Sequence, residues 1–333
     1  MMKKNKLLLY ILFAVVCGIW LISFSHFRED FLGQFYYMPF LGVIAATIAN
    51  TTPAAAGIVY FPVLTRLQIS PVTAVQFSLI IQAYGMGLGT FKWYLVNKRL
   101  FMANVMPLCL SGGIIGIIIS IVFIPIENPE LLSLTFNTIS FIVTQVIFFS
   151  ILFRHTYPNF TINLNLLNMV VLFTFSLVGG LVSGWIGFGI DTMFYFLLTF
   201  IFKINPAIAI VTSISIMAVV SVAGTVLNII FNQVPLSLWY SAVPGVTIAG
   251  LFFASYFAVK IGARNILILF AFLLSVDFFM AFWTQQTIPM NQTFKLIFTY
   301  ILVLYLLVIH VKIFKQSYKN INPEIGKFKS DQD

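Results

Sequence analysis

Residues 184–192 read Gly184-Trp185-Ile186-Gly187-Phe188-Gly189-Ile190-Asp191-Thr192. Residues 49–57, 135 positions earlier, read Ala49-Asn50-Thr51-Thr52-Pro53-Ala54-Ala55-Ala56-Gly57. Each stretch breaks a long apolar run with small and polar residues. Outward from these centres the repeat extends without a gap over Gly42–Trp93 and Leu177–Asn228. Pro71 falls on Pro206, Ala74 on Ala209, Ser78 on Ser213, Gly89 on Gly224 and Thr90 on Thr225. In both copies the apolar run resumes after the break, then meets a proline that opens a second long apolar run. Interrupted hydrophobic segments at corresponding places in two halves are the sequence mark of a transporter's binding site.

Of 333 residues, 60% are hydrophobic and 8% are charged, and the mean hydropathy is +1.03. A soluble chain carries about 25% charged residues. This one lacks the polar surface to face water, so its solvent is the lipid bilayer. Its 37 Phe residues fit a lipid-facing surface. The formal charge of +9 is scattered at segment ends and forms no stripe, which reads as a topology signal and argues against nucleic acid as a partner. No phosphate-binding P-loop, HExxH helix or G-x-S-x-G elbow is present. An ATP-driven pump, a membrane protease or any other enzyme is therefore not expected, nor is a cofactor or metal. Cys17 and Cys109 lie in apolar stretches and read as small buried hydrophobes.

Eight apolar runs are long enough to cross about 30 Å of hydrocarbon: 7–25, 71–91, 102–124, 131–152, 206–231, 237–259, 265–283 and 293–314. The first follows Lys3, Lys4 and Lys6 and reads as a retained helix, because no small-residue cleavage site follows it. The two special stretches, 35–66 and 168–202, do not fit that template. Each divides into half-helices of roughly 13 to 17 residues, about 20–25 Å long. Such a pair is a re-entrant hairpin or two short tilted crossings, and both return the chain to the side it entered.

Charge favours this reading. With the N-terminus in the cytoplasm and both stretches returning, 15 of the 18 basic residues face the cytoplasm, and only Arg28, Arg66 and Lys295 lie outside. With single crossings the cytoplasmic number falls to 12. Positive charge prefers that side. The first stretch then enters from outside and the second from inside. The expected fold is an all-α polytopic membrane protein with two inverted-topology repeats, each with a broken or re-entrant helical hairpin, and about eight full spans. The expected divisions are an N-terminal helix and loop (1–30), a first repeat (31–153) and a cytoplasmic linker (154–165). A second repeat (166–283), a last helix (284–315) and a polar cytoplasmic tail (316–333) follow.

Irregular backbone at membrane depth is tolerated only against protein or a water-filled cavity. Pro53 pre-sets a first helical turn, so Thr51-Thr52-Pro53 reads as the start of a second half-helix. Gly184, Gly187 and Gly189 leave the other backbone uncrowded. Free N–H groups at such half-helix ends attract anions without a buried Lys or Arg. The candidate substrate residues are Asn50, Thr51, Thr52, Ser78, Gln82, Ser183, Gly187, Gly189, Thr212 and Ser213. Tight helix packing by small residues and interhelical hydrogen bonding are the competing readings. Asp191 and Asp277 are acidic residues at membrane depth and candidates for ion coupling, with helix capping as the alternative for Asp191.

These residues carry a resemblance to a known family. Gly180-Leu181-Val182-Ser183-Gly184-Trp185-Ile186-Gly187-Phe188-Gly189-Ile190-Asp191, then Asn205-Pro206-Ala207-Ile208-Ala209-Ile210-Val211-Thr212-Ser213, is similar to the glycine-rich repeat of the TauE/SafE sulfite-exporter permeases. Pro62, Pro71, Ala74 and Ser78 keep part of the same pattern in the first copy. Two features depart from it: the family's triple glycine is Gly189-Ile190-Asp191 here and Ala54-Ala55-Ala56 in the first copy, and its proline falls at Leu197. The resemblance implies a multi-pass protein of the cell inner membrane, and the charge distribution places both termini in the cytoplasm. The resemblance also implies transport of sulfite, sulfonates or related small organic anions, driven by H+ or Na+. A passive anion channel and a non-transporting scaffold subunit remain as alternatives, and a homo-oligomer stays open.

Overall fold

The computed structural model describes residues 2–152 and 159–254, with 268, 271–272, 275, 278, 297, 300–301, 303–309 and 311–312. Among the described residues every element is helical, and one bridge pairs Asn159 with Ile204. The chain divides into two compact units, residues 1–136 with 156–266 and residues 137–155 with 267–333. The second unit holds a Phe141–Phe278 ring stack and a hydrogen bond from the Tyr305 hydroxyl to Gln145 Oε1.

The helices run α1 (Met2–Gly33), α2 (Met38–Thr51), α3 (Gly57–Arg66), α4 (Pro71–Val96), α5 (Met106–Ile118) and α6 (Pro129–Leu152). They continue with α7 (Leu166–Ile186), α8 (Ile190–Phe196), α9 (Pro206–Phe231) and α10 (Leu236–Ile248). Five-residue π-helical turns extend α5 over Ile119–Phe123, α8 over Leu197–Ile201 and α10 over Ala249–Phe253. Seven helices among the described residues are long and apolar enough to span a membrane. Six correspond to expected runs. The run at 265–283 lies mostly outside the described residues, and of the run at 293–314 twelve of 22 residues are described.

The repeat is visible in the elements. Helices α4 and α9 each have 26 residues and each opens on a proline behind a capping side chain. Ser70 accepts from the Thr73 N–H and Asn205 from the Ala207 N–H, which satisfies donors a helix start leaves free. Helices α5 and α10 each have 13 residues followed by a five-residue π turn. The long pair α4 and α9 pack together, α2 packs on α10 and α7 packs on α5.

Three details differ from the sequence reading. First, α1 runs to Gly33 with no loop before residue 30, because nothing between Ile19 and Leu32 breaks a helix. It docks through a vacancy in hydrogen bonding on α10. Pro244 has no N–H to give to Tyr240 O, and the Trp20 indole donates to that carbonyl at 3.0 Å while the two rings stack at 5.2 Å.

Second, the halves of the broken stretches are unequal. The first copy has limbs of 14 and 10 residues. The second has α7 with 21, already of spanning length, followed by Ile190–Ile201. Asn165 caps α7, which starts two residues before the expected stretch, and Gly184 sits inside the helix without ending it. Third, Pro53 does not open a helix. Thr51 ends α2, and α3 starts four residues beyond the proline, at Gly57.

Candidate site at the two helix breaks

The two breaks touch each other at mid-height of the long helices. Gly187, with φ of +78°, ends α7 in the left-handed conformation that favours glycine. Its carbonyl accepts from Gln82 Nε2 at 2.6 Å, and Gln82 lies near the middle of α4. A methyl group on Gly57, the first residue of α3, would sit 2.7 Å from that same carbonyl oxygen. From the third residue of α8, the Thr192 hydroxyl donates to Pro53 O at 2.7 Å. Stretches 135 positions apart in sequence thus share one backbone junction.

On the second-copy side, Ser183 Oγ accepts from the Ile190 N–H at 2.9 Å and meets Met217 Sδ, the middle of α9, at 3.8 Å. Ser183 therefore caps α8 across the break, and the Asp191 carboxylate faces the backbone N–H groups of Gly189, Asp191 and Thr192 at the same helix start. Gly189 has φ of +145°. Asp191 is 0% exposed; its Oδ1 accepts from Thr192 Oγ1 at 3.5 Å, and its Oδ2 has no partner among the described residues. Phe188 closes this side against Phe136, which stacks on Phe61 of α3.

On the first-copy side the polar side chains belong to the C-terminal end of α2. Thr51 Oγ1 donates to Thr47 O at 2.7 Å and Thr52 Oγ1 to Ile48 O at 2.9 Å, so both hydroxyl protons are spent on their own helix, while Thr52 Oγ1 also accepts from the Ala54 N–H in the break. Asn50 Nδ2 donates to Ala46 O at 2.8 Å and to Gly85 O at 3.4 Å, while Asn50 O accepts from the Trp93 indole. Ser78 Oγ donates to Ala74 O, and its Cβ lies against Gly187. The N–H groups of Ala55, Ala56 and Gly57, which enter α3, have no protein acceptor among the described residues.

Of the ten substrate candidates, Asn50, Thr51, Thr52, Ser78, Gln82, Ser183, Gly187 and Gly189 gather at the breaks. Thr212 and Ser213 do not join them. Thr212 Oγ1 accepts from the Met102 N–H at 3.2 Å and holds the loop before α5, and Ser213 Oγ returns to Ile210 O. Asp277 lies outside the described residues. Sequence reading missed Thr192 and Tyr60. Thr192 stood next to Asp191, a usable signal; Tyr60, inside an apolar half-helix, gave none.

A cavity of about 350 Å³ opens beside the second break, lined among others by Gln76, Ser120, Glu127, Trp185, Asn228 and Asn232. It lies among the start of α4 and the ends of α5, α7 and α9. Its floor includes Gly184, one turn before Gly187.

Apolar spanning helices with paired breaks buried between them define a multi-pass membrane transport protein. The family model described as "Sulfite exporter TauE/SafE" matches residues 38–281, and the chain belongs to that family of membrane transporters. No curated protein matches it. No solved structure does so either.

Proposed function

We propose that the chain is a secondary permease moving small anions of the sulfite and sulfonate type, with the substrate held where the two breaks meet. The observation that carries this reading is the junction itself: Gln82 and Gly57 on the carbonyl of Gly187, and Thr192 on the carbonyl of Pro53. Backbone without regular hydrogen bonding is expensive at membrane depth unless it lines a cavity. Here it occurs twice, face to face.

The equal lengths of α4 and α9 and of α5 and α10, and the packing of α2 on α10 and of α7 on α5, are what a two-fold relation between the copies generates. Together with the charge distribution, they support inverted repeats and alternating access. Free N–H groups of Ala55, Ala56 and Gly57 at the start of α3 supply donors for an anion. The cavity above Gly184 is the route to it from one side. Asp191, buried with one oxygen unpaired, is the titratable group through which a proton gradient acts on the cycle.

The test is flux in proteoliposomes of purified protein with labelled sulfite, sulfoacetate and thiosulfate, with and without imposed pH and sodium gradients. Saturable uptake that collapses when a gradient is dissipated is the expected result. Asp191→Asn should then abolish its pH dependence. Uptake indifferent to both gradients makes the chain a passive anion channel, and no flux of any of the three refutes the substrate assignment.

A further inference from the structure

The first limb of each copy, α2 or α7, stops at a corresponding place, but only one of the two ends is tied down. In the first copy the end of α2 meets α4 at three points. Asn50 Nδ2 donates to Gly85 O at 3.4 Å, and the Trp93 indole donates to Asn50 O at 3.2 Å. Gly89 leaves no space between the helices, since a methyl group there would collide with Asn50 Oδ1. The indole takes one of the carbonyls that a helix end leaves without a partner. Asn50 is 0% exposed as a result.

Shifted by 135, Asn50, Gly85, Gly89 and Trp93 become Trp185, Val220, Gly224 and Asn228. None of the three ties recurs among the described residues. The Trp185 indole turns to Ile124 O, just past the π turn of α5, at 2.9 Å. The Asn228 amide stays on α9, donating to Gly224 O at 3.0 Å, and its oxygen accepts from Asn232. Gly224 faces Ile117 and Leu79. Trp185 and Asn228 instead stand on the wall of the cavity of about 350 Å³.

The tied end and the open end lie at opposite ends of α4. Gln76, in its second turn, lines the cavity, and Trp93 is in its last turn. From 76 to 93 is 17 residues, a rise of about 26 Å, most of the roughly 30 Å of a hydrocarbon core. An entry on one face and a seal at the matching place on the other is how a pair of gates looks with one of them shut.

We propose that Trp93 is the latch of the gate at the face where α4 ends. It holds the end of α2 on α4 while the opposite entry stands open, and the cycle turns when the indole releases Asn50. This deepens the permease reading by naming the group that shuts one side off from the site, and its part in transport rests on that reading.

The experiment is labelling with a polar maleimide in detergent, where both faces are reachable and no anion is needed. In a full-length background carrying Cys17→Ser and Cys109→Ala, Ala49→Cys reports the latched end and Gln76→Cys the open cavity. Gln76→Cys is expected to react fast and Ala49→Cys slowly. Trp93→Phe keeps a ring and removes the N–H. One such bond is worth up to about tenfold in a two-state ratio, so Ala49→Cys should then react about tenfold faster and Gln76→Cys more slowly. Asn228→Trp supplies an indole on the open side and should slow Gln76→Cys in the same way. Equal rates at the two reporters in the starting protein overturn the proposal, because the end of α2 is then not shut. A rate at Ala49→Cys untouched by Trp93→Phe also overturns it, because the bond then holds nothing. Both reporters speeding up together in Trp93→Phe overturns it as well, being loosening rather than gating. Expected labelling in a protein that moves none of the tested anions upholds the latch and refutes the substrate assignment, so the two failures are told apart.

Discussion

Replacing Gly57 by alanine tests the contact on which the site rests. The added methyl would sit 2.7 Å from Gly187 O, 3.2 Å from Gly187 C and 3.1 Å from Gln82 Nε2, where ordinary contact begins at 3.4 Å. The break must therefore open by 3.4 minus 2.7, or 0.7 Å, against a carbonyl backbone that cannot swing aside as a flexible side chain would. Overpacking of this kind costs about 1–3 kcal/mol. A gain of up to about 1 kcal/mol from removing a helical glycine offsets part of it.

Gly87→Ala is the matched control. It lies on α4, is helical, and has nothing within 4 Å of its added carbon, so it should be neutral or stabilising by about 0.5–1 kcal/mol. Thermal unfolding should place Gly57→Ala below wild type and Gly87→Ala at or above it. Where the strain falls on only one of two transport conformations, 1.4 kcal/mol shifts their ratio tenfold, so flux should fall by about that factor in Gly57→Ala alone. Equal behaviour of the two variants would refute the contact between the breaks.

Gly187→Ala should cost more, since φ of +78° adds about 1–2 kcal/mol of backbone strain to a clash with Ser78 Cβ at 2.8 Å; Ser78→Gly should relieve the clash, and a double variant no more stable than the single one contradicts this. Thr192→Val removes the donor to buried Pro53 O and should lower stability by about 1–3 kcal/mol, whereas Thr192→Ser keeps the bond and most of the stability. Thr212→Val should lower stability by a similar amount through the loop before α5. It should leave the KM for transported anion unchanged, and a raised KM would return Thr212 to the site.

Architecture was legible in the sequence because it rests on periodic facts. Proline at 71 and 206 marks two equal helices, and interruption at the same place in both copies marks the breaks. Legibility ended where a residue's meaning depends on its partner. Pro53 is as good a helix start as Pro71 by local chemistry, yet Thr192 takes its carbonyl and α3 begins only at Gly57. Thr51 and Thr52 carry the right groups for a ligand but spend them on α2. Ser213 is the repeat's counterpart of Ser78, which lies against Gly187, yet its hydroxyl returns to Ile210 O, and the Thr212 hydroxyl takes the N–H of Met102, 110 residues away in sequence. Tyr60 packs its ring on Phe77 and shares the wall of a small cavity with Gln82 and Asn50, a grouping that only the fold creates.

The paired π turns of α5 and α10 have one further consequence. A π turn spaces its hydrogen bonds five residues apart, so a carbonyl there is left over. In α10 that surplus is met: Lys92, nearly buried on α4, reaches the Phe252 carbonyl with its ammonium at 3.2 Å. The position in α9 that corresponds to Lys92 is Leu227, a side chain with no proton to offer. One wide turn is fastened by a charge and its twin is not. Two stretches of one pattern thereby differ in what holds their wide turns, and neither can stand in for the other.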